Sequence, residues 1–97
     1  MIRSFQDRET ADIYEGLDTK SARRRLPIVL WRVARRKLDQ LGQVRRLQQL
    51  GLPPGNGLEA LYGDRLGQHS IRINDQFRVC FIWTEEGPEN VEITDYH

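Results

Sequence analysis

The chain has 97 residues, 38% hydrophobic and 30% charged, with 15 Lys and Arg against 14 Asp and Glu for a net charge of +1. That length leaves room for one small core, points to a single domain over residues 1–97 and excludes a multidomain enzyme. Two Trp, three Tyr and three Phe argue against disorder, no apolar run nears the roughly 20 residues of a membrane span, and the lone Cys80 excludes a disulfide framework or a Cys-based zinc cluster.

The opening Met1–Asp7 lacks the apolar stretch of a signal peptide, so a cytoplasmic location is expected. Ile2–Phe5 reads as a short strand. Ala11, Ile13, Tyr14 and Leu17 recur at helical spacing and predict a first helix over Asp7–Leu17. Residues 1–19 hold two Arg and five acids. The next stretch inverts that balance: residues 20–46 hold ten basic groups and one acid, Asp39. Here Leu26, Val29, Leu30, Val33, Ala34, Leu38 and Leu41 recur in steps of three and four, which predicts one long helix with Pro27 near its start. Arg32, Arg35, Arg36 and Lys37 fall between the apolar positions. Val44, Leu47 and Leu50 suggest a short third helix ended by Gly51.

The composition then changes. Leu52-Pro53-Pro54-Gly55-Asn56-Gly57 cannot continue a helix and reads as an ordered loop. Beyond it the period becomes two. Leu58, Ala60 and Tyr62 alternate with Glu59 and Leu61; His69, Ile71 and Ile73 with Ser70, Arg72 and Asn74; Phe77, Val79, Phe81 and Trp83 with Arg78, Cys80 and Ile82; and Val91 and Ile93 close the series. Connections of two to five residues make these strands an antiparallel meander. Helices first and strands after is the α+β pattern. The helices are expected to cover one sheet face, with Phe77, Val79, Phe81 and Trp83 turned toward them and Arg72 and Arg78 on the open face or its edge.

Few residues are candidates for chemistry. Pro54-Gly55-Asn56-Gly57 lacks the Lys-Ser/Thr of a phosphate loop, no G-x-S-x-G elbow occurs, and two His with one Cys make a zinc site improbable. No cofactor is expected. Ten basic groups in 27 residues suit a phosphate backbone or an acidic partner, against the blander reading of a solvated helix face. Arg65, Arg72 and Arg78 suit a phosphate clamp, or else pair with Glu92 or Asp95. The terminal Asp95-Tyr96-His97 follows a strand pattern with no linker, and His titrates near neutrality. His69, with apolar neighbours, reads as structural.

Several stretches together resemble one family: Ile2-Arg3-Ser4-Phe5, Leu38-Asp39-Gln40-Leu41, Leu52-Pro53-Pro54, Leu61-Tyr62-Gly63-Asp64-Arg65, Ser70 through Phe81, and Val91 through His97. In that order they resemble the HigB-like toxins (plasmid-maintenance killer proteins) of the RelE/ParE superfamily. The resemblance implies a small RelE-like fold and a toxin of a type II toxin–antitoxin pair, a ribosome-dependent mRNA endonuclease that cuts the codon in the A site. It implies as partners the ribosome and mRNA, a helix-turn-helix (HigA-like) antitoxin and, through that antitoxin, operator DNA.

Carried onto this chain, the family pattern implies that Arg78, after the aromatic Phe77, stabilises the scissile phosphate. Asp95, Tyr96 and His97 orient RNA and move protons, and Arg65 and Arg72 contact phosphate. The chain departs from the pattern at Tyr62, where many members carry Lys, and at Glu59, where some carry His; Tyr62 then contacts substrate and Glu59 is a second proton carrier. Arg32, Arg35, Arg36, Lys37, Arg45 and Arg46 are expected to dock on ribosomal RNA. Such chemistry needs no metal, since RNA supplies its own 2′-OH nucleophile; it needs a base, an acid and cationic stabilisation. Two other functions are compatible with the sequence. One is a ParE-like gyrase poison on the same fold. The other is a non-catalytic RNA- or ribosome-binding module carried by the basic block.

Overall fold

The first helix, α1 (Arg8–Glu15), begins where the Asp7 carboxylate accepts the Thr10 N–H at 2.8 Å and ends at Gly16, whose N–H turns back to Asp12 and Ile13. This computed structural model describes residues 1–95. A second helix, α2 (Lys20–Arg25), follows at once, capped by Thr19 Oγ1, which accepts the Ala22 N–H and donates to Asp12.

The single long helix expected from Leu26 is therefore a 3₁₀ turn followed by a shorter α-helix, and α2, which precedes Leu26, was not expected. The break is physical. Leu26 precedes Pro27 and is extended, as the proline ring demands of its neighbour. After it come one 3₁₀ turn (Ile28–Leu30) and α3 (Trp31–Gln43), which buries Trp31, Ala34, Leu38 and Leu41. Val29, assigned by spacing to the apolar face, is 82% exposed in that turn. The expected third helix is a 3₁₀ turn, Leu47–Gly51, which buries Leu50. Arg45 and Arg46 lie in the bend before it, off the helices, where Gln49 Oε1 accepts both their N–H groups at 2.8 and 3.0 Å.

Four strands follow: β1 (Glu59–Ala60), β2 (His69–Arg72), β3 (Phe77–Thr84) and β4 (Gly87–Asp95), paired antiparallel in chain order. The segment expected as a strand at Ile2–Phe5 forms a parallel bridge, Phe5 with Val91, on the outer side of β4. There Ser4 O accepts the Val91 N–H at 3.0 Å and Gln6 N–H donates to Val91 O at 2.9 Å. Gly87 makes this docking possible. At φ 131° a side chain is strained, and a Cβ would sit 2.1 Å from the Met1 carbonyl oxygen.

The strand predicted over Leu58–Tyr62 is the weakest of the meander. Only Glu59 and Ala60 pair, and Leu61 rather than Ala60 or Tyr62 is buried. The 3₁₀ turn Gly63–Arg65 resets the alternation.

Helices and sheet share one hydrophobic cluster in which Ile13, Leu26, Leu38 and Leu41 meet Ile71, Val79, Phe81, Val91 and Ile93. Each such fully buried side chain contributes about 1.5–3 kcal/mol. Polar bonds lock α1 and α2 onto β4: Thr10 Oγ1 accepts the Ile93 N–H at 3.0 Å, and Arg25 bonds Ile93 O at 2.8 Å and Asp7 at 2.7 Å. No helix among the described residues is long and apolar enough to cross a membrane.

Candidate active site on the open face of the sheet

Strand alternation leaves one face of the sheet away from the helices. Its rows follow from the register. Glu59 pairs with Ser70, Ser70 with Cys80 and Cys80 with Glu92; beside them Arg72 pairs with Arg78 and Arg78 with Thr94. Ser70 and Cys80 are buried although they face away from the core, because charged side chains lie across them. Arg65 and Glu92 form an ion pair at 3.0 Å on one side, and Arg78 lies over Ser70 on the other. Burial pushes the Cys80 thiol up to about 11, with Arg65, Glu92, Arg78 and Glu59 acting on it in alternating sign.

Arg78 is held on this face by three residues. Its Nε donates to Ser70 Oγ at 2.7 Å, its Nη2 donates to Gly57 O, and Glu59 Oε1 lies 3.7 Å away. Gly57 sits at φ 54°, and the Arg78 guanidinium packs 3.6 Å from where its Cβ would be. The loop residue thus shapes the guanidinium seat by lacking a side chain. Among the described residues Arg78 Nη1 makes no hydrogen bond.

Arg72 and Arg78 stand directly opposite on neighbouring strands, an arrangement that costs energy through like-charge repulsion. Asp75 pairs with Arg72 and Glu59 approaches Arg78. A bound anion relieves the same repulsion, so this pair of guanidiniums suits a phosphate.

A third cation joins them from α3. Lys37 Nζ donates to the Oδ1 of Asn56, which is fully buried. Asn56 Nδ2 donates to Leu50 O at 2.8 Å and to Gln40 Oε1 at 3.1 Å, and the Arg72 N–H donates to Asn56 O at 2.6 Å. One loop residue therefore ties α3, the 3₁₀ turn and β2 together. Burial first, then Arg36 and Arg72, hold the Lys37 ammonium below its ordinary value. The sequence reading placed Lys37 with the docking residues; the fold sets it beside Arg72. The roles of Ser70, Gly57 and Asn56 were not anticipated. Ser70 carries a signal only in hindsight, being in phase with Arg72 on the same strand.

The other expected residues lie as follows. Glu59 is exposed, next to Arg78. Arg65 also bonds Gln68 at 3.1 Å besides Glu92. Tyr62 is 76% exposed at the start of the Gly63–Arg65 turn. Asp95 pairs with Phe77 in register and accepts from Gln76 Nε2 at 2.8 Å, so it shares strand phase with Val91 and Ile93 rather than with the open-face row. Tyr96 and His97 lie outside the described residues. His69 is half-buried against Phe81, with ring centroids 6.3 Å apart. Among the described residues no group of three His, Cys, Asp or Glu comes together as a metal site.

The basic block divides in two. Arg23 pairs with Asp18, Arg25 with Asp7, Arg35 Nε donates to Tyr14 O at 3.3 Å, and Lys37 is held by Asn56. Lys20, Arg24, Arg32, Arg36, Arg45 and Arg46 make no side-chain hydrogen bond or ion pair with described residues.

Comparison with known proteins agrees with this architecture. The family described as "RelE-like toxin of type II toxin-antitoxin system HigB" matches residues 3–97. Toxin HigB-1 of Vibrio cholerae serotype O1 is 35% identical over 85 residues, covering 88% of this chain and 86% of that protein. An uncharacterized protein of Haemophilus influenzae is 34% identical over 85 residues, covering 88% of this chain and 79% of its own length. The α+β layout, with helices packed on one face of a four-stranded antiparallel sheet, is that of a small RelE-like fold. The chain belongs to the HigB family of RelE-like toxins of type II toxin–antitoxin systems.

Proposed function

We propose that this toxin is a ribosome-dependent endoribonuclease that cleaves mRNA in the A site, without a metal, by attack of the substrate's own 2′-OH. The observation that carries this reading is the seat of Arg78. Ser70 and Gly57 fix its guanidinium on the open face, with Arg72 directly across and Glu59 3.7 Å away. Charge that develops on phosphoryl oxygens is best stabilised by donors already held in place.

In this reading the 2′-oxygen loses its proton to a base and attacks phosphorus. The P–O5′ bond breaks, an acid protonates the leaving oxygen, and the products are a 2′,3′-cyclic phosphate and a 5′-OH. Arg78 and Arg72 neutralise the pentacoordinate phosphorus centre. His97 transfers protons, Tyr96 and Asp95 position the RNA, and Glu59 is the second proton carrier. Tyr62 offers an exposed ring to a base, and Arg65 contacts the RNA while paired to Glu92. Arg32, Arg36, Arg45 and Arg46, which have no side-chain partner among the described residues, dock with Arg35 and Lys37 on ribosomal RNA. The partner that silences the toxin is a helix-turn-helix antitoxin, which also carries the pair to operator DNA. The site of action is the cytoplasm.

Primer extension on cellular mRNA after induction tests the proposal. Cleavages phased to A-site codons, lost in Arg78→Ala, support it. DNA damage without mRNA cleavage identifies a gyrase poison instead.

A further inference from the structure

A concave surface lies beside the candidate site. Between the C-terminal half of α3 and the Pro53-Pro54 loop is a cleft of about 780 Å³. Arg36, Asp39 and Arg45 line it, and none of these side chains has a hydrogen bond or ion pair with a described residue. Lys37 lines it too and connects it, through Asn56, to the Arg72 backbone. The cleft therefore adjoins the Arg72–Arg78 pair through one buried residue.

The chemistry of its walls is selective. Two free guanidiniums suit an anion. A carboxylate in the same cleft works against a bare anion, yet it suits a ligand that brings N–H donors along with its phosphate. Proline rings give a flat apolar floor for a base. A nucleotide of unpaired RNA has all three parts, since splayed bases are read on their Watson–Crick edges while the backbone meets cations. Guanine presents two adjacent N–H donors, N1–H and N2–H, to a carboxylate, whereas uracil presents one. The volume falls within the range of small-ligand clefts, roughly 300–1,000 Å³.

We propose that this cleft is a nucleotide subsite for an unpaired guanosine of the RNA, with the phosphate on Arg36 and Arg45, the base on Pro53 and Pro54, and its N–H edge on Asp39. The subsite rests on the RNA-cleaving reading and extends the RNA path past Arg72. It adds base selectivity to a surface otherwise read as plain electrostatic docking.

Fluorescence anisotropy with labelled pentanucleotide RNAs, guanosine- or uridine-centred, tests it on the full chain, with circular dichroism to verify folding. The wild type is expected to prefer the guanosine RNA. Arg36→Ala/Arg45→Ala should weaken binding about tenfold and reduce the salt slope by about 0.7, the value for one single-strand phosphate contact. Asp39→Ala should weaken guanosine RNA and strengthen uridine RNA, because it removes both an acceptor and a repulsion. Arg24→Ala, outside the cleft, should change affinity less than about twofold.

The proposal is overturned if the cleft double variant loses no more than Arg24→Ala, if both RNAs bind the wild type equally, or if Asp39→Ala affects them alike. Parallel mRNA cleavage separates the two readings. Cleavage without cleft-dependent binding removes the subsite alone. Cleft-dependent binding of guanosine RNA without any cleavage removes the nuclease and leaves the subsite.

Discussion

Arg78 and Ser70 are joined across β3 and β2 by a 2.7 Å hydrogen bond from Nε to a hydroxyl that is itself fully buried. The serine stands in the row next to the arginine, so the guanidinium is drawn sideways over the strand and its aim is set by a neighbour outside its own register pair. Ser70 is thus a positioning residue. Ser70→Ala should lower cleavage about tenfold while the fold persists. Against an Arg78→Ala background it should cost nothing further, since the two act as a unit. Equal losses in both backgrounds would separate Ser70 from Arg78.

Asn56 holds three elements at once, and its side chain is fully buried. Asn56→Ala leaves the Leu50 carbonyl, the Gln40 side chain and the Lys37 ammonium without their partner. An unsatisfied buried group costs about 1–3 kcal/mol, so a total near 3 kcal/mol is expected from urea unfolding. A change under about 0.5 kcal/mol, the usual size for a surface substitution, would mean that the loop is not the tie described.

Arginines of the basic block should separate by role. Arg25 bonds Asp7 at 2.7 Å and Ile93 O at 2.8 Å, while Arg24 beside it has no partner among the described residues. Arg25→Ala should lose about 2 kcal/mol of stability, because it strands a half-buried carboxylate and a carbonyl. Arg24→Ala should stay within about 0.5 kcal/mol. Matching unfolding midpoints for the two variants would contradict the division.

The proximity of Lys37 to Arg72 is open to titration. The chain has two lysines, Lys20 and Lys37, so the Lys37 side-chain resonance can be assigned by Lys20→Arg. Its midpoint should lie below 10.5, chiefly through burial and then through Arg36 and Arg72. Arg72→Ala should raise it part of the way back, since burial remains. The sign for stability follows. The folded value lies below the unfolded one, so the contribution is fully present above the unfolded value and is lost as pH falls through the folded value. A Lys37 midpoint unmoved by Arg72→Ala would place the two cations apart.

Much of the sheet was legible because its alternation is strict where it is buried: Phe77, Val79 and Phe81 face the core, as do Ile71 and Ile93. The same periodicity put Arg72 and Arg78 on the other face, and with them the core of the candidate site. The helical half was legible only in part. α2 buries Ala22 alone, so it has no apolar period to detect, and Thr19 as a cap was its only local sign. The Leu26–Val29 spacing mimicked a continuing helix, but Pro27 overrode it. Leu58–Tyr62 alternated in sequence without a full strand behind it, because a 3₁₀ turn supervenes after two paired residues. Asn56 sits in a stretch of Pro and Gly that reads as an ordered loop with no sign of burial in it, and its burial arises only when three distant elements converge. Which arginines are tied down and which are free is likewise a tertiary property, invisible in a count of charges.

The central claim is that Arg78 stabilises a phosphoryl-transfer step on ribosome-bound mRNA. The most direct measurement is cleavage of a defined mRNA on purified ribosomes by wild type, Arg78→Ala and His97→Gln, with the product ends identified. The account predicts a cut in the A-site codon leaving a 2′,3′-cyclic phosphate and a 5′-OH, and a rate lowered about 10²- to 10³-fold in Arg78→Ala, the usual cost of removing a preorganised donor. His97→Gln should also be slowed. Cleavage at the wild-type rate by folded Arg78→Ala, or no cleavage by the wild type on programmed ribosomes, would contradict it.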